Sequence, residues 1–179
     1  MDYVKLCLKL GAAKAAEIPV SKLVLQSELR VYCEQNRCGR YHRNYTCPPL
    51  IGEISQLIHT LKTFSKTVIW QNIYQLEDSF DFEGMALGQR NHHAMTLKAA
   101  QHIYREKGRD KALVLSAGGC THCAICACQT SEPCRDPDNA LSSLEAYGIN
   151  VSQIENVSDM KYINGANTVT YFAGVFYNP

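Results

Sequence analysis

Apolar residues recur every three or four positions at Leu50, Ile54, Leu57, Ile58, Leu61 and Phe64, the period of a helix with one buried face, and Pro48 and Pro49 suit its entrance. A longer helical stretch covers residues 84–107 and meets Gly108, which can take the left-handed cap conformation. Residues 2–15 predict a first amphipathic helix. Runs of strand character lie at 21–26 (SKLVLQ), 67–74 (TVIWQNIY), 111–117 (KALVLSA), 150–154 and 168–177. Asp136 and Pro137 have the chemistry of a helix start, which predicts a helix to about Tyr147, stopped by Gly148. Residues 30–49 follow no period and are rich in Cys, Gly, Asn and Arg, so they predict an ordered loop held by something other than secondary structure. Strands alternating with helices imply an α/β fold, a single domain over residues 1–179 with a mostly parallel sheet flanked by helices and two cysteine-rich loops.

Composition narrows the function classes. The chain of 179 residues is 46% hydrophobic, and 18 basic residues nearly balance 17 acidic ones, so no global field draws it to nucleic acid or an anionic membrane. The first twenty residues are interrupted by lysines and a glutamate and do not read as a signal peptide; no stretch reaches the roughly 20 apolar residues of a membrane span. A cytoplasmic location is expected. Nine cysteines in a reducing compartment point to metal binding or catalysis rather than disulfides, and the odd number argues against a closed disulfide framework.

Cys120, Cys123 and Cys126 form a C-x2-C-x2-C run, with Cys134 eight residues further on. Thiolates at steps of three let a loop wrap an inorganic cluster, and a later cysteine closes the fourth corner. Gly118 and Gly119 allow the backbone to bend tightly beside the sulfurs. The predicted helix at Pro137 would turn its positive end toward the site. A structural four-cysteine zinc site is the alternative, although zinc ribbons usually offer two separated C-x2-C pairs. Cys128 could replace Cys126, serve another site or remain a free thiol.

A second set, Cys33, Cys38 and Cys47, has C-x4-C-x8-C spacing. It is one ligand short, with Cys128, Cys7 and His42 as candidates for the fourth position, or else one iron stays open to water or substrate. Cys128 leads because an extended chain after Cys126 would turn its side chain away from the first-named run. Arg30, Arg37, Arg40 and Arg43 face only Glu34 here, so the loop is either a solvated basic segment or a docking surface for an acidic redox partner. Nothing recognisable as a nucleic-acid fold accompanies them. His92 and His93, adjacent on a helix, point about 100° apart and read as surface or packing residues. His122 reads as loop filler; a nucleotide loop and the C-x3-C-x2-C spacing of radical enzymes are both missing.

Nearly the whole chain resembles a family of predicted metal-binding proteins, a domain of unknown function found largely in anaerobic bacteria and archaea. The resemblance rests on the early cysteines ending in Cys47-Pro48-Pro49, on ALVLSAGGC with Cys123 and Cys126, on Pro133-Cys134-Arg135, and on residues 143–149. It implies Cys33, Cys38, Cys47, Cys120, Cys123, Cys126 and Cys134 as ligands, with Cys7 and Cys128 as additions, and it supplies no reaction. The chain departs from the family pattern at 141–143, where Leu-Ser-Ser stands in place of a proline before serine. Together these readings predict an iron-sulfur protein with two four-iron four-sulfur (4Fe-4S) clusters and a role in electron transfer. The alternatives are an enzyme with an open iron and a structural zinc module.

Overall fold

The computed structural model describes residues 1–179. Its centre is a four-stranded sheet, and the strongest patterns in the sequence form it. β2 (Lys66–Gln75) and β4 (Thr168–Tyr177) pair over ten residues. β1 (Lys14–Pro19) flanks β2 on one side, and the four-residue β3 (Ala112–Leu115) flanks β4 on the other, giving the order β1-β2-β4-β3.

Every pairing in this sheet is antiparallel, which corrects the expected mostly parallel arrangement. The reason lies in β4. The unit β2–α4–β3, in which α4 is the 26-residue helix Phe82–Lys107, does run two strands in the same direction, as strand-helix alternation suggests. β4 then inserts between them and pairs antiparallel with both, so the parallel strands never touch. Alternation along a sequence reports crossovers, not neighbours.

Both faces of the sheet are covered. On one face Val68, Trp70, Val114, Ala173 and Val175 pack against α1 (Tyr3–Lys9) and against Met95, Ala99, Ala100 and Ile103 of α4. On the other, Ile18, Ile69, Leu115, Phe172 and Phe176 meet Leu61 of α3 (Ile54–Lys62) and the irregular residues Leu144, Ile149, Ile154 and Met160. Alternate residues of each strand thus enter different cores, as the two-residue period of a strand requires. Asp81 caps α4 by accepting the Gly84 N–H at 2.8 Å, and Gly108 follows its last turn with φ 91° and ψ 150°, a positive φ outside the expected left-handed cap.

Several expected elements differ. The first helix ends at Lys9, because the chain must reverse to begin β1 at Lys14. Residues 21–26 hold the end of the 3-10 turn Val20–Lys22 and a single bridge, Leu25 to Ile149, rather than a strand. The third helix starts at Ile54, not Leu50: Pro48 and Pro49 are joined by a cis peptide, and a turn through Gly52 separates them from it. The ordered loop at 30–49 contains one short helix, α2 (Arg30–Glu34). The helix expected over 137–147 is replaced by two isolated 3-10 turns, Pro137–Asn139 and Glu145–Tyr147. Its backbone is used elsewhere, since the Ser116 N–H donates to the Ser142 carbonyl and the Leu144 N–H to the Ser116 carbonyl. Val151–Asn156 is likewise a 3-10 segment, not a strand. No helix is long and apolar enough to cross a membrane.

Candidate metal centre

The second cysteine run begins where β3 leaves the sheet. Gln89 of α4 donates to the Ala117 carbonyl at 3.3 Å, and Gly118 turns with φ +69° against the same glutamine. From there the chain wraps so that Cys120, Cys123, Cys126 and Cys134 line one recess together with Asn44, Tyr45, Thr46, His122, Arg135 and Asp136. The four cysteines expected to act together are therefore brought together.

The recess shifts its thiols in opposite directions. Burial raises the Cys120 thiol and the neighbouring Cys123, Cys134 and Cys126 add to that, while the His122 N–H, 3.5 Å from the sulfur, opposes it. Cys126 goes the other way. Its desolvation is outweighed by the backbone N–H groups of Cys128, Tyr45 and Ala127 and by the Cys128 thiol, and the net shift is downward. Arg135 donates to the Ile125 carbonyl at 3.2 Å and to Glu132 at 3.1 Å, and its guanidinium, favoured in its charged form first by Glu132 and then by Cys123, lies beside the Cys123 sulfur. His122 Nε2 lies 3.0 Å from Asp136, so this histidine ties the cysteine run to the residues after Cys134 rather than merely filling the loop. The expected helix dipole is absent, because only a three-residue turn follows Cys134.

Cys33, Cys38 and Cys47 also gather. Burial pushes the Cys47 thiol up to about 11, with Arg40 opposing and Cys38 and Cys33 adding to the rise. Burial raises Cys33 too; Arg30 opposes that shift, and Cys38, Glu145 and Glu34 reinforce it. Cys38 is exposed.

The two sets are packed onto each other, which spacing alone does not reveal. Asn44 Nδ2 donates to the Cys120 carbonyl at 2.7 Å, and the Cys120 N–H donates to Thr46 Oγ1 at 2.9 Å. Thr46 Oγ1 in turn donates to Asn44 Oδ1 at 2.9 Å, so both peptide groups flanking Cys120's backbone are held by one buried clasp. Around it, Arg40 donates to the Cys120 carbonyl at 3.2 Å, Arg43 to Gln129 at 3.1 Å, Gln129 back to the Arg43 carbonyl at 3.1 Å, and the Tyr45 hydroxyl to the Glu132 carbonyl at 2.7 Å. A second recess, lined by Cys38, Arg40, Arg43, Cys120, Cys123 and Cys126 among others, opens between the sets.

Several individual expectations change with this geometry. Ala127–Thr130 form a 3-10 turn, so the chain after Cys126 is not extended, and Cys128 stays beside Cys126 instead of turning away from it, the pair shifting each other's thiols in opposite directions. Cys7 is fully buried between α1 and α4, where burial raises its thiol to about 12. His42 is exposed and sits edge-on to Tyr41. Of the four arginines read as a docking surface, Arg30, Arg40 and Arg43 make internal hydrogen bonds, the first to the Ala146 carbonyl at 3.4 Å. His92 and His93 take the packing alternative of their expected readings: both are buried, with Nδ1 atoms on Asn72 at 2.8 Å and Ser116 at 3.3 Å. The residues that sequence reasoning missed are Asn44, Thr46, Gln129 and Arg135. Only Arg135, next to Cys134, carries a signal that could have found it.

Sulfur ligands with arginine and backbone N–H groups beside them suit a soft metal guest whose thiolate ligands leave it anionic overall. No three His, Cys, Asp or Glu side chains close onto one point as a single bare ion requires. No curated protein and no solved structure matches the chain. One family model does, over residues 16–177, a span that takes in both cysteine sets and every strand but the first two residues of β1. The chain belongs to the family described as predicted metal-binding protein (DUF2284).

Proposed function

We propose that the chain carries two 4Fe-4S clusters, one on Cys120, Cys123, Cys126 and Cys134 and the other on Cys33, Cys38 and Cys47, and that it passes single electrons to or from a partner protein. The observation that carries this reading is the single recess lined by all four of Cys120, Cys123, Cys126 and Cys134. A tetrahedral zinc site with Zn–S near 2.3 Å would hold its sulfurs about 3.8 Å apart. A C-x2-C-x2-C run closed by a later cysteine, with N–H groups beside the sulfurs, suits a larger anionic guest whose charge those donors offset. When bound, such a group supplies a one-electron redox couple. The protein's own part is to hold the thiolates, place Arg135 and the backbone N–H groups against them, and limit water.

The first set supports a second reading. It brings three thiols and no fourth cysteine, and the recess beside Cys38 contains Arg40 and Arg43. An iron left open there would bind a small ligand directly and make the protein an enzyme.

Anaerobic purification with iron, sulfide and zinc analysis tests the proposal. About eight iron and eight acid-labile sulfide per chain is the expected result for two four-iron clusters. A colourless protein with zinc and no sulfide rejects it in favour of a structural zinc module. A spectral shift of the first centre on adding a small ligand, absent in the second, selects the enzyme reading.

A further inference from the structure

Gly119 is buried, and its φ lies outside the left-handed region that only glycine takes readily. Its lack of a side chain therefore serves space rather than backbone freedom. A Cβ at this position would stand 2.6 Å from Cys47 Sγ and 3.2 Å from Arg40 Cδ, so the Cys47 sulfur occupies the room that a side chain would fill. The next residue is Cys120, a member of the other set. Adding the 2.6 Å gap, one C–C bond and a 3.8 Å Cα–Cα step places Cys47 Sγ within about 8 Å of Cys120 Cα.

We infer that Cys47, Gly119 and Cys120 form an internal crossing point through which an electron moves between the groups held by the two sets. This rests on the two-cluster reading above. The route runs from Cys47 Sγ across one van der Waals contact to Gly119, then along the peptide bond to Cys120. One electron leaves the group at one set and enters the group at the other; the first is oxidised by one unit, the second reduced by one, and no bond or proton moves. The clasp of Asn44 and Thr46 on Cys120 fixes the gap, since it holds the residues on either side of this contact. Cys38, the exposed member of the first set, is where an outside one-electron donor meets the route.

The test uses the intact protein, reduced with dithionite under anaerobic conditions and read by electron paramagnetic resonance. Cys38→Ser and Cys123→Ser provide proteins with one working set each. The expected wild-type spectrum is split, broadened and faster-relaxing than the sum of the two variant spectra. Gly119→Ala, with iron content unchanged, should narrow that splitting, because its methyl group displaces Cys47 Sγ. A wild-type spectrum equal to the sum overturns the crossing point, and this comparison stands whether or not Gly119→Ala folds. A Gly119→Ala protein with full iron and unaltered splitting overturns it as well. Iron content separates the two levels: eight iron with additive spectra removes the crossing point alone, whereas zinc or a single cluster removes the two-cluster reading with it.

Discussion

Thr46→Val is the most direct probe of the clasp between the two cysteine loops. Valine keeps the shape of threonine and removes one hydroxyl, so no cavity opens. The loss is local: the Cys120 N–H loses its acceptor at 2.9 Å and Asn44 Oδ1 loses one of its two donors, both at a residue only 5% exposed. Stranding a buried donor costs about 2 kcal/mol, within the range of about 1 to 3 for such groups. That is a factor of about 30 in the folding equilibrium, and with a urea slope near 2 kcal/mol/M it moves the denaturation midpoint down by about 1 M. The single tryptophan, Trp70, is fully buried and reports unfolding by fluorescence, on wild type and variant of matched metal content. Thr60→Val is the control, because its hydroxyl bonds the Gln56 carbonyl on the exposed face of α3. If Thr46→Val shifts the midpoint no further than Thr60→Val, the clasp does not join the loops in the way argued.

Two further outcomes follow from buried groups. Burial depresses His92 to about 4 from its ordinary 6.5, so below pH 6.5 the unfolded chain takes up a proton that the folded chain refuses. Its contribution is therefore neutral above that range and turns against folding as pH falls, by about 1.4 kcal/mol at pH 5.5 and about 3 kcal/mol near pH 4. Urea midpoints of wild type and His92→Gln at pH 7 and 5.5 check this, and equal losses in the two proteins would refute it. For Cys128, which lies beside Cys126 and helps hold its thiol down, Cys128→Ala is expected to keep all the iron and to lower the potential of the second centre, since a polar group beside the sulfur is removed. Loss of iron from the first set alone would instead make Cys128 its missing ligand.

The parts of the fold legible in the sequence are those where one period dominates. β2, β4 and α4 lie within two residues of their expected bounds, because Val68, Trp70, Phe172 and Phe176 alternate and Ala99, Ala100 and Ile103 repeat helically. The segment after Cys134 misleads for a physical reason: Asp136, Pro137 and Gly148 carry real helix signals, yet Ser142 and Leu144 spend their backbone groups on Ser116, an interaction no local pattern records. Sheet order fails likewise, since it depends on where a strand more than fifty residues beyond β3 inserts. The cysteine sets were legible from spacing. Their contact was not, because a glycine reads the same whether it bends the chain or makes room for a sulfur.

The place of β4 in the sheet has a consequence for biosynthesis. A ribosome delivers both cysteine loops and three of the four strands before it reaches Thr168, and until then β2 and β3 have no partner between them. The nascent chain thus displays all nine cysteines on a scaffold whose middle is missing. Long-range pairing of this kind is slow and leaves apolar surface and strand edges open meanwhile. Metal delivery to a settled site must accordingly follow synthesis of β4, and a truncation that removes residues 168–177 is expected to leave a metal-poor, aggregating product rather than a smaller working one.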